Sequence, residues 1–169
     1  MYILGDIGNS ETKICLVSSK NIILKSINFS SKKISNKILS KKFKYLVKDF
    51  KSIEKVLFCS VVPKSFNLIK RFLSKKLKKR CYEVKDLKLR SLINIKVNFK
   101  QVGSDRLTNA ISVLNKKDNF IILDLGTATT FDIITQNIYR GGIIAPGIRI
   151  SLNTLSDKAT LIPKINLKQ

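Results

Sequence analysis

The sequence predicts an α/β fold of two related domains with mixed sheets, the second domain incomplete. Three observations predict it. A strand–turn–strand–strand pattern led by Asp-x-Gly occurs twice, at "DIGNSETKI" from Asp6 and again 118 residues later at "DLGTATTFDII" from Asp124. Helical spacing of apolar residues alternates with short apolar runs of strand length. No Pro-, Gly- or Ser-rich linker separates the halves, so the boundary falls in a short connection near Asp118, giving domains 1–118 and 119–169. Two β-β-β-α copies describe a duplicated ribonuclease-H-like domain.

"YILGD", "TKICLVSS" and "NIILKSINF" read as three strands, the first two joined by the turn-like "IGNSE". From about Lys33 to Phe50 the apolar residues Ile34, Ile38, Leu39, Phe43, Leu46, Val47 and Phe50 keep helical spacing. "KVLFCSVV" is a continuous apolar run, suited to a strand buried on both faces. Pro63 opens a second helix with Phe66, Ile69, Leu73 and Leu77 on one stripe, and "CYEVK" is a short fifth strand. "LKLRSLINIKVNFK" fits no single element. "VGSDRLTNAISVLNKK" is a loop entering a helix with Leu107, Ile111 and Leu114 inward. The second series follows as "FIILDLG", "TATTFDIIT" and "YRGGIIAP" for strands and "GIRISLNTLSDKA" for a helix. This copy has 51 residues and lacks the strand–helix–strand that would complete its sheet. It is expected to present an unpaired edge and an uncovered apolar face.

Composition narrows the chemistry. The chain has no histidine, which excludes Ser-His-Asp and Cys-His mechanisms. A general base must be Asp, Glu, Lys, Tyr or Cys. Cys15, Cys59 and Cys81 are widely spaced and odd in number, against a disulfide framework, and without His or CxxC a zinc site is not expected. The net charge is +22, carried by 27 Lys and only six Arg. The lysines are scattered over helix faces, and the densest cluster, "KRFLSKKLKKR", matches no nucleic-acid motif. Nonspecific binding at low salt is expected; a specific nucleic-acid partner is not. No run approaches the ~18 uncharged apolar residues of a membrane helix, and the N-terminus has no basic leader, so no membrane partner is expected and the location is read as cytoplasmic.

All seven glycines lie in four short stretches, together with Asp6, Glu11, Asp105, Asp124 and Asp132, five of only 11 carboxylates. In "DIGNSETK" a turn of small and polar residues offers backbone N–H groups to an anion. Asp6 could hold hydrated Mg²⁺ and Lys13 could neutralise phosphate. A plain hairpin turn with an Asx cap fits the same residues. "DLGTATTFD" offers a second such turn, with Thr127, Thr129 and Thr130 as hydroxyl donors and Asp124 as a second cation ligand, or with the threonines present for strand propensity. Two facing turns would make a cleft for one nucleotide. In "VGSDR" a helix N-terminus favours anions; Asp105 is the natural base and Arg106 a bidentate grip, though Ser104 or Asp105 could equally cap the helix. "GGIIAPG" shapes a cleft wall or a turn into a helix.

Together the four stretches resemble the type III pantothenate kinase family, within the acetate kinase/sugar kinase/Hsp70/actin superfamily. Its pattern runs Asp-x-Gly-Asn-Ser-x-x-Lys, Gly-x-Asp-Arg-x-x-Asn, Asp-x-Gly-Thr-Ala-x-Thr and Gly-Gly-x-Ile-x-Pro-Gly. This chain has "DIGNSETK", "GSDRLTN", "DLGTATT" and "GGIIAPG" in the same order and spacing. The resemblance implies an actin-like ATPase fold and transfer of the ATP γ-phosphate to pantothenate, giving 4'-phosphopantothenate, the first step toward coenzyme A. It implies ATP binding at Asp6, Gly8, Asn9, Ser10, Lys13 and Thr127, and pantothenate binding at Gly103, Ser104, Asp105 and Arg106. Asp105 would be the proton acceptor, Asp124 the ligand of a monovalent cation (K⁺ or NH₄⁺), and Asp6 a ligand of Mg²⁺. A homodimer is implied as well. Where the family carries Tyr and Pro ahead of Gly103, this chain has Lys96 and Phe99, which implies an altered pantothenate pocket. The family also continues for some tens of residues beyond "LIP". The alternative is a non-catalytic nucleotide-binding or regulatory relative of accessory-factor type on the same fold.

Overall fold

A computed structural model describes residues 1–77, 79–115, 117–159, 163 and 165, so Lys78 of the basic cluster lies outside the described residues. The chain groups into two compact units, one of residues 1–91 with 102–108 and the other of 92–101 with 109–169. The architecture is α/β with mixed sheets, the duplicated ribonuclease-H-like class expected from the repeat.

In the first unit, β1 (Tyr2–Ile7), β2 (Glu11–Val17), β3 (Ile23–Ser30), β4 (Lys55–Ser60) and β5 (Cys81–Glu83) form one sheet in the order β3-β2-β1-β4-β5. β1 is antiparallel to β2 and parallel to β4. Side chains alternate across a strand, so Ile3 and Ile7 face one way with Ile14, Leu16, Val56 and Phe58, and all are buried. Helices α1 (Asn36–Leu46) and α2 (Pro63–Ser74) cover that face with Leu39, Phe43, Leu46, Ile69 and Leu73. The Phe43 and Phe72 rings meet at 5.3 Å between centroids, tilted by 41°.

Two local expectations change. The helix read from Lys33 to Phe50 is α1 alone, 11 residues long. Ser35 caps its start, its Oγ accepting the Ile38 N–H at 3.4 Å, and the chain is already extended at Val47. Ser31–Lys33 and Phe50–Ser52 are separate 3-10 turns, the latter held where Asp49 Oδ1 accepts the Lys51 N–H at 2.9 Å. Apolar spacing continued across these breaks because Ile34 and Phe50 still pack against the core. β4 is not buried on both faces: Val56 and Phe58 are buried, while Leu57 and Cys59 are half-buried and line a cavity on the opposite face.

In the second unit, β7 (Asn119–Leu125), β8 (Ala128–Thr135) and β9 (Ile138–Pro146) form an antiparallel meander. Gln136 and Asn137 turn β8 into β9 with positive φ at both positions, 49° and 60°, as a two-residue hairpin of primed type requires. The ambiguous segment 87–100 supplies a 3-10 turn, Leu89–Ser91, and then β6 (Asn94–Ile95), which pairs in parallel with β9. The sheet order is β6-β9-β8-β7, and α4 (Ile148–Lys158) follows β9. β7 is an edge among the described residues, and Ile121, Leu123 and Leu125 along it are 72%, 52% and 59% exposed. No described helix is long and apolar enough to cross a membrane.

Cys81 opens β5 inside the core, and burial pushes its thiol up to about 12 against an opposing pull from the Lys70 ammonium. The folded state therefore holds a proton that the unfolded chain gives up near the ordinary value of 9.0. Its stabilising contribution is complete below that value and is lost as pH rises toward about 12. Urea unfolding at pH 8 and pH 10 is expected to show a steeper fall for the unaltered chain than for Cys81→Ala, by up to about 1.4 kcal/mol per pH unit. Equal slopes would contradict this.

Candidate active site

β1 carries the first motif to the open side of its sheet. Asp6 lies opposite the core face, exposed, with Lys13 of β2 as its antiparallel Cα partner and Cys59 of β4 as its parallel one. The three therefore share one face across three adjacent strands. The Cys59 thiol donates to Asp6 Oδ1 at 3.3 Å. Gly8, Asn9 and Ser10 form the turn, closed by the Gly8 N–H on the Glu11 carbonyl at 3.0 Å. The Ser10 carbonyl accepts the Ser31 N–H at 3.0 Å, and the buried Thr12 and Ser31 hydroxyls bond at 2.7 Å beneath it. The hairpin reading of the turn is thus correct as geometry, and the turn is anchored from below.

The third member of this unit is the start of helix α3 (Ser104–Ser112). Asp105 stands in its first turn, half-buried, with Oδ1 accepting the Arg106 N–H at 2.8 Å. Asp105 is the second residue of the helix rather than its N-cap; its Oδ1 takes one of the first-turn N–H groups that lack an intrahelical partner, and the carboxylate stands at the positive end of the helix. Gly103 is needed for this: a Cβ there would stand 2.3 Å from Asp105 Oδ1. Lys85 Nζ donates to the Val102 carbonyl at 2.8 Å and fixes the approach to the helix. Ser104 is buried, and its carbonyl accepts the Thr108 hydroxyl at 2.8 Å. A cavity of about 250 Å³ opens between these parts, lined by Leu4, Asp6, Lys13, Leu57, Cys59 and Thr108 among others. Burial first, and after it the charges of the Asp6 and Asp105 carboxylates, push the Cys59 thiol well above its ordinary range.

In the second unit Asp124 is half-buried near the end of β7, where its Oδ2 accepts the Asn109 Nδ2–H at 3.1 Å. Its Cα partner on β8 is Thr130, whose Oγ1 is buried with no hydrogen-bond partner among the described residues. A carboxylate beside an orphaned buried hydroxyl is an oxygen donor set of the kind a hard cation takes. The turn Gly126–Thr127 is held by the Gly126 N–H on the Ala128 carbonyl at 3.0 Å and by the Gly147 N–H on the Thr127 carbonyl at 3.1 Å. Thr127 is exposed. "GGIIAPG" is mostly strand, with Gly147 at the N-cap of α4. Asp132 is fully buried and accepts from the buried Tyr139 hydroxyl, so it belongs to the packing of the unit. Among the described residues no group of three or more His, Cys, Asp or Glu side chains could hold a metal ion.

Motif reading had given no role to Asn109, Thr108 or Cys59. Asn109 could have been found from its place one helical turn after Asp105. Cys59 could not, because in "KVLFCSVV" a cysteine reads as one more small apolar residue.

The family model described as type III pantothenate kinase matches residues 2–169. The chain is 62% identical over 169 residues to the type III pantothenate kinase of Pelagibacter ubique (strain HTCC1062), covering all of this chain and 68% of that protein. It is 29% identical over 174 residues to the type III pantothenate kinase of Desulforapulum autotrophicum, covering 99% of this chain and 66% of that one. The chain therefore spans about two-thirds of the length of these relatives. Among solved structures, a conserved putative Baf family transcriptional activator from Campylobacter jejuni is similar at TM-score 0.54 and 20% identity, over 99% of this chain and 68% of that one. A putative 2-dehydro-3-deoxygalactonokinase from Sinorhizobium meliloti is similar at TM-score 0.53 and 10% identity, over 95% and 58%. These two likenesses concern the fold alone.

The close approach of β9's end to the Gly126–Thr127 turn sets a test. A Cβ at Gly147 would meet the Gly126 carbonyl oxygen at 2.3 Å and that of Thr127 at 2.5 Å, both backbone atoms. A Cβ at Gly126 meets nothing nearer than 3.6 Å. Gly147→Ala is expected to cost about 1–3 kcal/mol in urea unfolding and Gly126→Ala less than about 1 kcal/mol. Equal costs would contradict the packing described.

Proposed function

The chain belongs to the type III pantothenate kinase family, and we propose on that footing that it transfers the γ-phosphoryl group of ATP to the primary hydroxyl of pantothenate, yielding 4'-phosphopantothenate at the first step of coenzyme A synthesis. The observation that carries this reading is the match to the family over residues 2–169, with Asp6 lining one cavity of the first unit and Asp105 close enough to act electrostatically on Cys59 in that cavity. Phosphoryl transfer asks the protein for positioning and charge neutralisation more than for covalent chemistry.

In this proposal the turn Gly8–Ser10 offers backbone N–H groups and hydroxyls to the phosphate chain, and Lys13 neutralises its charge. Thr127 is a further ATP contact. Gly103, Ser104 and Arg106 bind pantothenate, Arg106 gripping its carboxylate. Asp105 accepts the proton of the attacking hydroxyl: its Oδ1 is engaged by the Arg106 N–H, which leaves the base role to Oδ2. Asp6 would hold Mg²⁺, which suits a lone carboxylate because that ion keeps most of its waters and takes the rest of its ligands from phosphate. Asp124, with Thr130 Oγ1 beside it, would hold K⁺ or NH₄⁺. When bound, these ions supply charge neutralisation at the phosphates. A homodimer and a cytoplasmic location belong to the same proposal.

The test is formation of phosphopantothenate from pantothenate and ATP, with and without K⁺, for the unaltered chain and for Asp105→Asn. The expected result is K⁺-stimulated turnover that falls about 10²–10⁴-fold in Asp105→Asn while ATP affinity is unchanged. Unchanged turnover in Asp105→Asn would remove the base assignment. ATP binding with no turnover of pantothenate would instead favour the non-catalytic, nucleotide-binding reading.

A further inference from the structure

We propose that Cys59 is a positioning residue for Asp6, its thiol fixing one carboxylate oxygen so that the side chain is set before nucleotide arrives. The inference rests on the reading above that Asp6 works at the cation and phosphates of ATP. β1 and β4 run parallel with Asp6 and Cys59 as Cα partners, so the two side chains leave the sheet on the same face and side by side. The Sγ–Oδ1 separation is 3.3 Å, within reach of a sulfur hydrogen bond. Its direction is settled by chemistry: an ionised carboxylate only accepts, so the thiol donates.

The surroundings keep the thiol in the donor form. Cys59 is half-buried in a cavity walled by Leu4, Leu57 and Val84, which disfavours a thiolate. The thiol serves here as an S–H donor held in place by the register of β1 and β4. Asp6 itself is exposed at the mouth of the sheet, where the hydrogen bond to one oxygen narrows the χ1 and χ2 range of its carboxylate. Restricting it beforehand lowers the ordering cost at binding.

The experiment is a double-mutant cycle on Mg²⁺-ATP affinity, measured by isothermal titration calorimetry on the chain with Cys59→Ala, Asp6→Asn and the two combined. Cys59→Ser, which keeps a hydroxyl donor, and Cys59→Val, which fills the space without one, complete the set. Cys59→Ala and Cys59→Val are expected to weaken Mg²⁺-ATP roughly fivefold and Cys59→Ser by less than about twofold. In the Asp6→Asn background, Cys59→Ala should add less than about twofold, because its effect runs through the carboxylate. Asp6→Asn weakened with Cys59→Ala unchanged would overturn the positioning role and leave the function standing. An equal loss from Cys59→Ala in both backgrounds would also overturn it, since a merely structural residue behaves so. Asp6→Asn with unaltered affinity, or no Mg²⁺-ATP binding by the unaltered chain, would overturn the nucleotide reading of Asp6 and the positioning role with it.

Discussion

The constraint on which the first unit depends is the two-residue alternation of β1. Ile3 and Ile7 are fully buried under α1 and α2, and Leu4 and Asp6, out of phase with them, must then face the other way. That fixes Asp6 on the open side of the sheet, beside Lys13 and Cys59. A slip of one residue in the β1–β2 or β1–β4 register would bury the carboxylate and expose the isoleucines. The apolar core thus holds the position of the charge.

A second constraint acts at the start of α3. Its first turn has N–H groups without intrahelical partners, and Asp105 satisfies one of them by bending its carboxylate back over Gly103. The same contact that stabilises the helix end restrains the group proposed as the base. Helix-end stabilisation and the proposed base role are compatible, because the N–H bond engages Oδ1 alone.

The repeat invites comparison of equivalent strands. Aligning Asp6 with Asp124 places Ile3 and Ile7 of β1 on Ile121 and Leu125 of β7. The first pair is wholly buried, and the second pair is more than half exposed. The difference has a local cause: β1 has β4 on its second edge and two helices over its apolar face, while among the described residues β7 has only β8. The strand pattern is carried in both copies, and only the first shows what covers it. Asp124 keeps its place at the strand end nonetheless, tied to Asn109.

The sequence by itself determined the strands, their turns and three of the four helices to within a few residues, since alternation, helical spacing and turn residues act over short distances. It also picked out Asp6, Lys13, Asp105 and Asp124, because carboxylates and glycines are scarce in this chain and gather in four motifs. It overran α1, where Ile34 and Phe50 keep the helical spacing past ends that Ser35 and Val47 impose. It left β6 undecided, because a two-residue strand exists only by pairing with β9. Tertiary structure alone decided that Cys59 touches Asp6 and that Asn109 touches Asp124. Each of these follows from strand register or from the approach of backbone segments, and no local pattern of residues encodes which strands become neighbours.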